Sequence, residues 1–94
     1  MKQLGIKEIL AQMLSELSGV SRASQNTIDA YSRDLNEFIE FYNNREISSF
    51  NRITEKTIRH FVINLSEKGV TKSTISRKLS ALRRLFNFAL RNDL

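Results

Sequence analysis

Cysteine and proline are absent from this chain, and histidine occurs once. Without cysteine there is no disulfide framework and no thiolate metal site, a usage that fits a cytoplasmic protein. No apolar run approaches the roughly 18 residues that crossing a bilayer requires, so no membrane span is expected. The opening residues Met1-Lys2-Gln3-Leu4-Gly5 lack the apolar core of a signal peptide. No segment alternates cleanly with period two, which argues against a substantial sheet. There is no glycine-rich phosphate loop and no nucleophile–histidine–acid set. His60 points away from the apolar side of its helix and has no acids at ligand spacing, so neither a metal nor a cofactor is expected. Glu37 and Glu40 stand three apart, but on a solvated helix without a pocket signal, which is poor ground for acid–base catalysis. The last absence is the most telling: no acid occurs from Gly69 to Asn92.

What is present describes one domain spanning residues 1–94. A chain of this length buries roughly 60–65% of its unfolded surface and can hold one modest core. The apolar fraction of 40% and charged fraction of 27% suit a globular protein rather than a disordered one. The net charge is +5, and its placement says more than its size. Residues 1–68 carry nine basic and nine acidic side chains, whereas residues 69–94 carry six basic ones and only Asp93. A basic excess gathered on one element is the electrostatic footprint of a polyanion site.

One five-residue phrase occurs three times: Ser24-Gln25-Asn26-Thr27-Ile28, Thr54-Glu55-Lys56-Thr57-Ile58 and Thr71-Lys72-Ser73-Thr74-Ile75. Each begins with a hydroxyl residue and ends on the first apolar residue of a helical pattern. A serine or threonine there accepts a bond from an orphan backbone N–H, so each phrase marks a helix start. The spacing predicts a first helix over about 4–17, with Ile6, Leu10, Met13 and Leu17 on one stripe and Gly19 and Ser21 ending it. A second runs from Ser24 to about Tyr42, with Ile28, Tyr31, Leu35, Phe38 and Tyr42 inward. Residues 43–53 form a connection in which Ile47, Phe50 and Ile53 plug onto the core. The third helix follows Thr54, with Ile58, Phe61, Val62 and Leu65 inward, and Gly69 closes it in a left-handed conformation. The fourth extends from Lys72 to about Arg91. The fold class is therefore all-α.

On a wheel of 100° per residue centred on Ile75, the residues Ile75, Leu79, Leu82, Phe86, Ala89 and Leu90 fall within roughly 60° and predict the buried stripe. Ser73, Arg77, Ser80, Arg84, Asn87 and Arg91 cluster at about 120–200°, on the opposite side. Lys78 and Arg83 flank the core face, and Lys72 stands in the first turn. Arginine forks onto guanine edges or phosphate, and serine and asparagine add short hydrogen bonds, so this stripe suits groove reading of nucleic acid. A generic surface helix would intersperse glutamate four residues from its cations. The second helix offers a weaker matching face through Asn26, Ala30 and Arg33, with Asp29 on its flank. Tyr31 and Tyr42 lie on a core stripe and do not read as nucleophiles.

The run from Ser24 to Leu35 resembles the start of the second helix in the core-binding domain of tyrosine recombinases, the group of the phage-type integrases and Xer recombinases. The run from Thr71 to Phe86 resembles the fourth helix of the same domain, and the order and spacing of the two blocks also match. Gln25 and Lys72 stand where that family often has proline. The resemblance implies a SAM-like bundle of four to five helices that forms one jaw of a clamp on double-stranded DNA. It implies DNA contacts at Asn26, Thr27, Ala30, Arg33, Lys72, Ser73, Arg77, Ser80 and Arg84. It implies other recombinase protomers as further partners, and chemistry that resides in a separate C-terminal domain, so that this chain is a non-catalytic fragment. Two alternatives stand beside it. One is a helix-turn-helix regulator, for which the helices joined at Gly69 are longer than usual. The other is a helical protein-interaction module whose basic stripe meets an acidic protein.

Overall fold

The three phrases start helices through the same local device. In the computed structural model, which describes residues 5–43 and 53–93, the helices are α1 (Ile6–Gly19), α2 (Gln25–Asn43), α3 (Glu55–Glu67) and α4 (Lys72–Arg91). The Thr27 N–H donates to Ser24 Oγ at 3.2 Å, the Thr57 N–H to Thr54 Oγ1 at 3.3 Å, and the Thr74 N–H to Thr71 Oγ1 at 3.3 Å. The threonine three residues after each cap also takes part. Its hydroxyl lies 3.0, 3.3 and 3.1 Å from the cap hydroxyl in α2, α3 and α4. At α3 the loop closes reciprocally, because the Thr54 N–H donates back to Thr57 Oγ1 at 3.3 Å. That is a capping box with threonine in the place glutamate usually holds.

The helix ends follow equally local rules. Gly69 takes φ +83°, and the Val70 N–H reaches back to the Leu65 carbonyl at 3.1 Å, which turns the chain tightly from α3 into α4. α1 ends where expected but turns at another residue. Gly19 is its last helical residue, but the reversal is made by Arg22 at φ +52°, closed by the Ala23 N–H on the Leu17 carbonyl at 2.8 Å.

All four helices contribute to one core. Ile6, Ile9, Leu10, Met13 and Leu17 come from α1, and Leu35, Phe38, Ile39 and Tyr42 from α2. Phe61 and Leu65 of α3 join them, the Phe38 and Phe61 rings meeting edge to face with centroids 5.1 Å apart. Ile58 and Val62 are only half-buried, and Ile53 packs on the rim of the core. Ile47 and Phe50, expected to plug the same core, lie outside the described residues.

The buried face of α4 corrects the wheel. Lys78, Ala81, Leu82, Leu85, Phe88 and Ala89 are the buried residues, while Ile75, Leu79 and Phe86 are half-buried and Leu90 is 81% exposed. The true core stripe is rotated by roughly 80–90° from the one centred on Ile75, at 100° per residue. The reason is twofold. Ile75 lies in the first turn, where the helix only begins to be covered. Lys78 also counted against the correct face, although its charge is accommodated there by acids from α2.

The rotation rearranges the polar side of α4. Arg77 moves from the outward stripe to the border of the core, and Arg83, expected to flank the core, turns outward with Ser76, Ser80 and Asn87.

Candidate nucleic-acid interface

The seam between α2 and α4 is organised by one carboxylate. Asp34 sits mid-α2 with its side chain 3% exposed. Arg77 grips it side-on, with Nε donating to Oδ2 and Nη2 to Oδ1, each at 3.1 Å. Lys78 Nζ donates to the same Oδ1 at 2.9 Å and lies 2.8 Å from Glu37 Oε1. The two cations differ in setting: the Lys78 side chain is 9% exposed, that of Arg77 54%. Burial by itself pushes the Asp34 carboxyl up, but the hydrogen bonds and charges of Lys78 and Arg77 outweigh it and hold the group below its ordinary value. Burial likewise pushes Lys78 down, and the bonds to Glu37 and Asp34 more than reverse this, raising it. A charge this deep is tolerated because every buried side-chain polar atom among the described residues has a partner.

Further along the seam, the Arg84 guanidinium lies over the Tyr31 ring at 5.5 Å from its centroid. Ala30, one turn before Asp34 on the same side of α2, is half-buried. Beyond Arg84, a shallow hollow of about 350 Å³ is lined by Ser80, Arg83, Arg84, Asn87, Phe88 and Arg91. At the far end Arg91 Nη2 donates to Glu16 Oε1 of α1 at 3.0 Å, tying the end of α4 to α1.

The cations of α4 therefore fall into two groups. Arg77, Lys78 and Arg91 are paired with Asp34, Glu37 and Glu16. Lys72, Arg83 and Arg84 are exposed and have no carboxylate partner among the described residues. Of the nine expected contact residues, Lys72, Ser73, Arg77, Ser80 and Arg84 share α4, all exposed. Asn26 and Thr27 are exposed in the first turn of α2, with the Thr27 hydroxyl held by Ser24. Arg33 stands apart: it opens onto a hollow shared with Lys7, Asn36, Glu37 and Glu40 rather than onto the Arg77–Arg84 side. Arg77, Lys78 and Arg83 are the cations that the sequence reading misplaced, and the signal that could have corrected it was the unbroken apolar set Ala81, Leu82, Leu85, Phe88 and Ala89.

Tyr42 is 1% exposed, and the Tyr31 ring is covered by Arg84. Among the described residues no three His, Cys, Asp or Glu side chains gather as metal ligands, and no helix is long and apolar enough to cross a membrane.

The comparisons with known proteins bear on the whole bundle. Residues 10–93 match the family described as phage integrase, N-terminal SAM-like domain. The chain is 40% identical over 85 residues to a tyrosine recombinase XerC of Natranaerobius thermophilus, covering 89% of this chain and 28% of that protein. It is 39% identical over 72 residues to a tyrosine recombinase XerD of Halalkalibacterium halodurans, covering 76% of this chain and 24% of that one. It is 38% identical over 68 residues to a tyrosine recombinase XerC of Bacillus pumilus, covering 72% of this chain and 22% of that one. No solved structure matches the chain. The chain belongs to the phage integrase N-terminal SAM-like domain family, the N-terminal domain of tyrosine recombinases. It spans about a quarter of the length of these curated relatives.

Proposed function

We propose that this chain, residues 1–94 as a single domain, is the DNA-gripping part of a site-specific tyrosine recombinase, and that it holds one recombination half-site against the outer faces of α2 and α4. The observation that carries the reading is the charge left over on α4. After internal pairing, Lys72, Arg83 and Arg84 still stand exposed without a carboxylate among the described residues, beside Ser73, Ser80 and Asn87. Cations with short polar side chains between them are what phosphate contact and groove reading require. Asn26, Thr27 and Ala30 supply the approach of α2, and Arg33 a contact farther round that helix. The domain positions DNA and other protomers, and strand cleavage belongs to a separate domain.

Fluorescence anisotropy with a labelled duplex over a range of salt tests the reading. About three to four phosphate contacts give a log–log slope of affinity against salt near −3 to −4. Arg83→Ala with Arg84→Ala should flatten that slope by about 2. A parent chain that ignores duplex DNA at low salt but binds an acidic peptide would replace the DNA reading with a protein-interaction one.

A further inference from the structure

Asp34 occupies an unusual position for an acid near a DNA-facing surface. It is buried, yet it bonds a half-exposed arginine, and it already has a buried lysine. Lys78 shares Oδ1 and is held a second time by Glu37, so Asp34 has a buried cation beside it as well as Arg77. The geometry of the Arg77 contact suggests what it is for. A guanidinium has five N–H groups in a rigid plane. The side-on bond to Asp34 occupies Nε and one hydrogen of Nη2. Of the three remaining hydrogens, two on Nη1 and one on Nη2, one from each nitrogen forms the end-on edge of the fork, adjacent to the edge that faces the carboxylate. Fork geometry suits paired acceptors, either two phosphate oxygens or the O6 and N7 of guanine.

We propose that Asp34 is a positioning residue for DNA contact: it fixes the Arg77 guanidinium by its side-on edge so that the adjacent end-on edge stands preformed toward paired acceptors of the duplex. The inference rests on the DNA reading above and deepens it. A long arginine free in solvent loses rotamer entropy when it binds, and here that loss is already met on folding. The charges of Asp34, Glu37, Arg77 and Lys78 cancel within the cluster. Arg77 therefore contributes directed hydrogen bonds more than a net field, while Lys72, Arg83 and Arg84 contribute the field.

This gives a test in which charge and geometry predict opposite signs. Asp34→Asn removes a negative charge beside the DNA face, so attraction alone predicts tighter binding. Positioning predicts weaker binding by roughly 5- to 10-fold, the scale of one well-made arginine fork. Arg77→Lys keeps the charge but loses the fork and should weaken binding about as much. In the Arg77→Lys background Asp34→Asn should then change affinity less than about twofold, because the two residues act through one contact. Affinities are read by anisotropy on a random-sequence duplex pool, with folding of each variant checked by circular dichroism at the assay temperature.

Should Asp34→Asn fail to fold, the parent chain decides the matter alone. In ¹H–¹⁵N spectra of the arginine side chains, assigned through Arg77→Lys, the Arg77 Nε–H signal should be protected in the free chain and stay so with DNA, while its Nη signals shift. Tighter binding by Asp34→Asn, an undiminished Asp34→Asn loss in the Arg77→Lys background, or an Arg77 Nε–H signal that exchanges away on adding DNA would each overturn the proposal. Phosphate and base acceptors are separated by salt: loss of a phosphate partner flattens the slope, loss of a base partner leaves it. A parent chain that binds no duplex at all would remove the DNA reading itself, a distinct result.

Discussion

Removing the Asp34 carboxylate by Asp34→Ala should destabilise the bundle by about 3 kcal/mol. The figure follows from what the residue holds. It accepts three charge-assisted hydrogen bonds at 2.9–3.1 Å while 3% exposed. Breaking one side of a buried ion pair typically costs about 3–5 kcal/mol, because the partner is stranded. Here the stranding is partial. Lys78 keeps Glu37 at 2.8 Å, and Arg77, already half-exposed, can turn to water, so the lower end applies. A domain of this size holds on the order of 5–14 kcal/mol, so the loss is a large share. It translates to a fall in melting temperature of about 12–24 °C, readable by far-ultraviolet circular dichroism.

The pH dependence carries its own sign. The folded Asp34 lies below its ordinary 3.8, so the unfolded chain binds the proton first as pH falls. The contribution is present above the unfolded value and disappears as pH drops through the folded one. Parent and Asp34→Ala should thus differ near neutrality and converge below about pH 4. Lys78, raised above its ordinary 10.5, gives the mirror limb: its contribution is complete below that value and is lost as pH rises through the folded one. Joining Asp34→Leu with Lys78→Met removes both buried charges and should cost less than Asp34→Ala alone. A variant melting within about 5 °C of the parent, or a difference that persists unchanged into acid, would refute the assignment of the cluster as a stabilising one.

Three further outcomes are expected. Leu85→Ala, at a fully buried site, should cost about 2–5 kcal/mol, whereas Leu90→Ala, 81% exposed, should lie within about 0.5 kcal/mol of the parent; equal melting temperatures would restore the wheel centred on Ile75. Thr71→Ala should lose about 1 kcal/mol through the uncapped Thr74 N–H, and Thr71→Ser should recover most of it, both by chemical denaturation. On a nicked suicide substrate the chain should form no covalent adduct detectable by denaturing electrophoresis; a band that vanished with Tyr31→Phe or Tyr42→Phe would place cleavage chemistry in this domain.

What could be read from the sequence was what local physics decides. The starts of α2, α3 and α4 are set within four residues by a hydroxyl and a backbone N–H, so Ser24, Thr54 and Thr71 were legible without any knowledge of packing. Gly69 was legible for the same reason, its left-handed turn needing no partner. Arg22 was not, because nothing in its chemistry announces a positive φ. The face of α4 was misread because it depends on contacts distant in sequence: Lys78 is buried where Asp34 and Glu37 of α2 meet it. A periodic apolar pattern treats every lysine as solvent-seeking, and a single buried, paired lysine shifts the apparent stripe by most of a right angle.

The same long-range pairing decides how a basic helix divides its work. Counted by composition, Lys72, Arg77, Lys78, Arg83, Arg84 and Arg91 are six equal charges. Counted by partners, they are not equal. Lys78 is spent on stability, Arg91 ties α4 to Glu16, and Arg77 is held by one edge with the other open. Lys72, Arg83 and Arg84 are exposed and have no carboxylate partner among the described residues. Substitutions along one helix should therefore separate by phenotype rather than by degree. Lys78→Met should change the melting temperature before it changes anything else. Arg83→Ala should change the salt slope and little besides. Arg77→Lys, with its charge intact, should weaken DNA binding while leaving both the melting temperature and the electrostatic slope near those of the parent if the acceptors are base edges. A basic stripe acting as a uniform field could not produce three such different results from one helix.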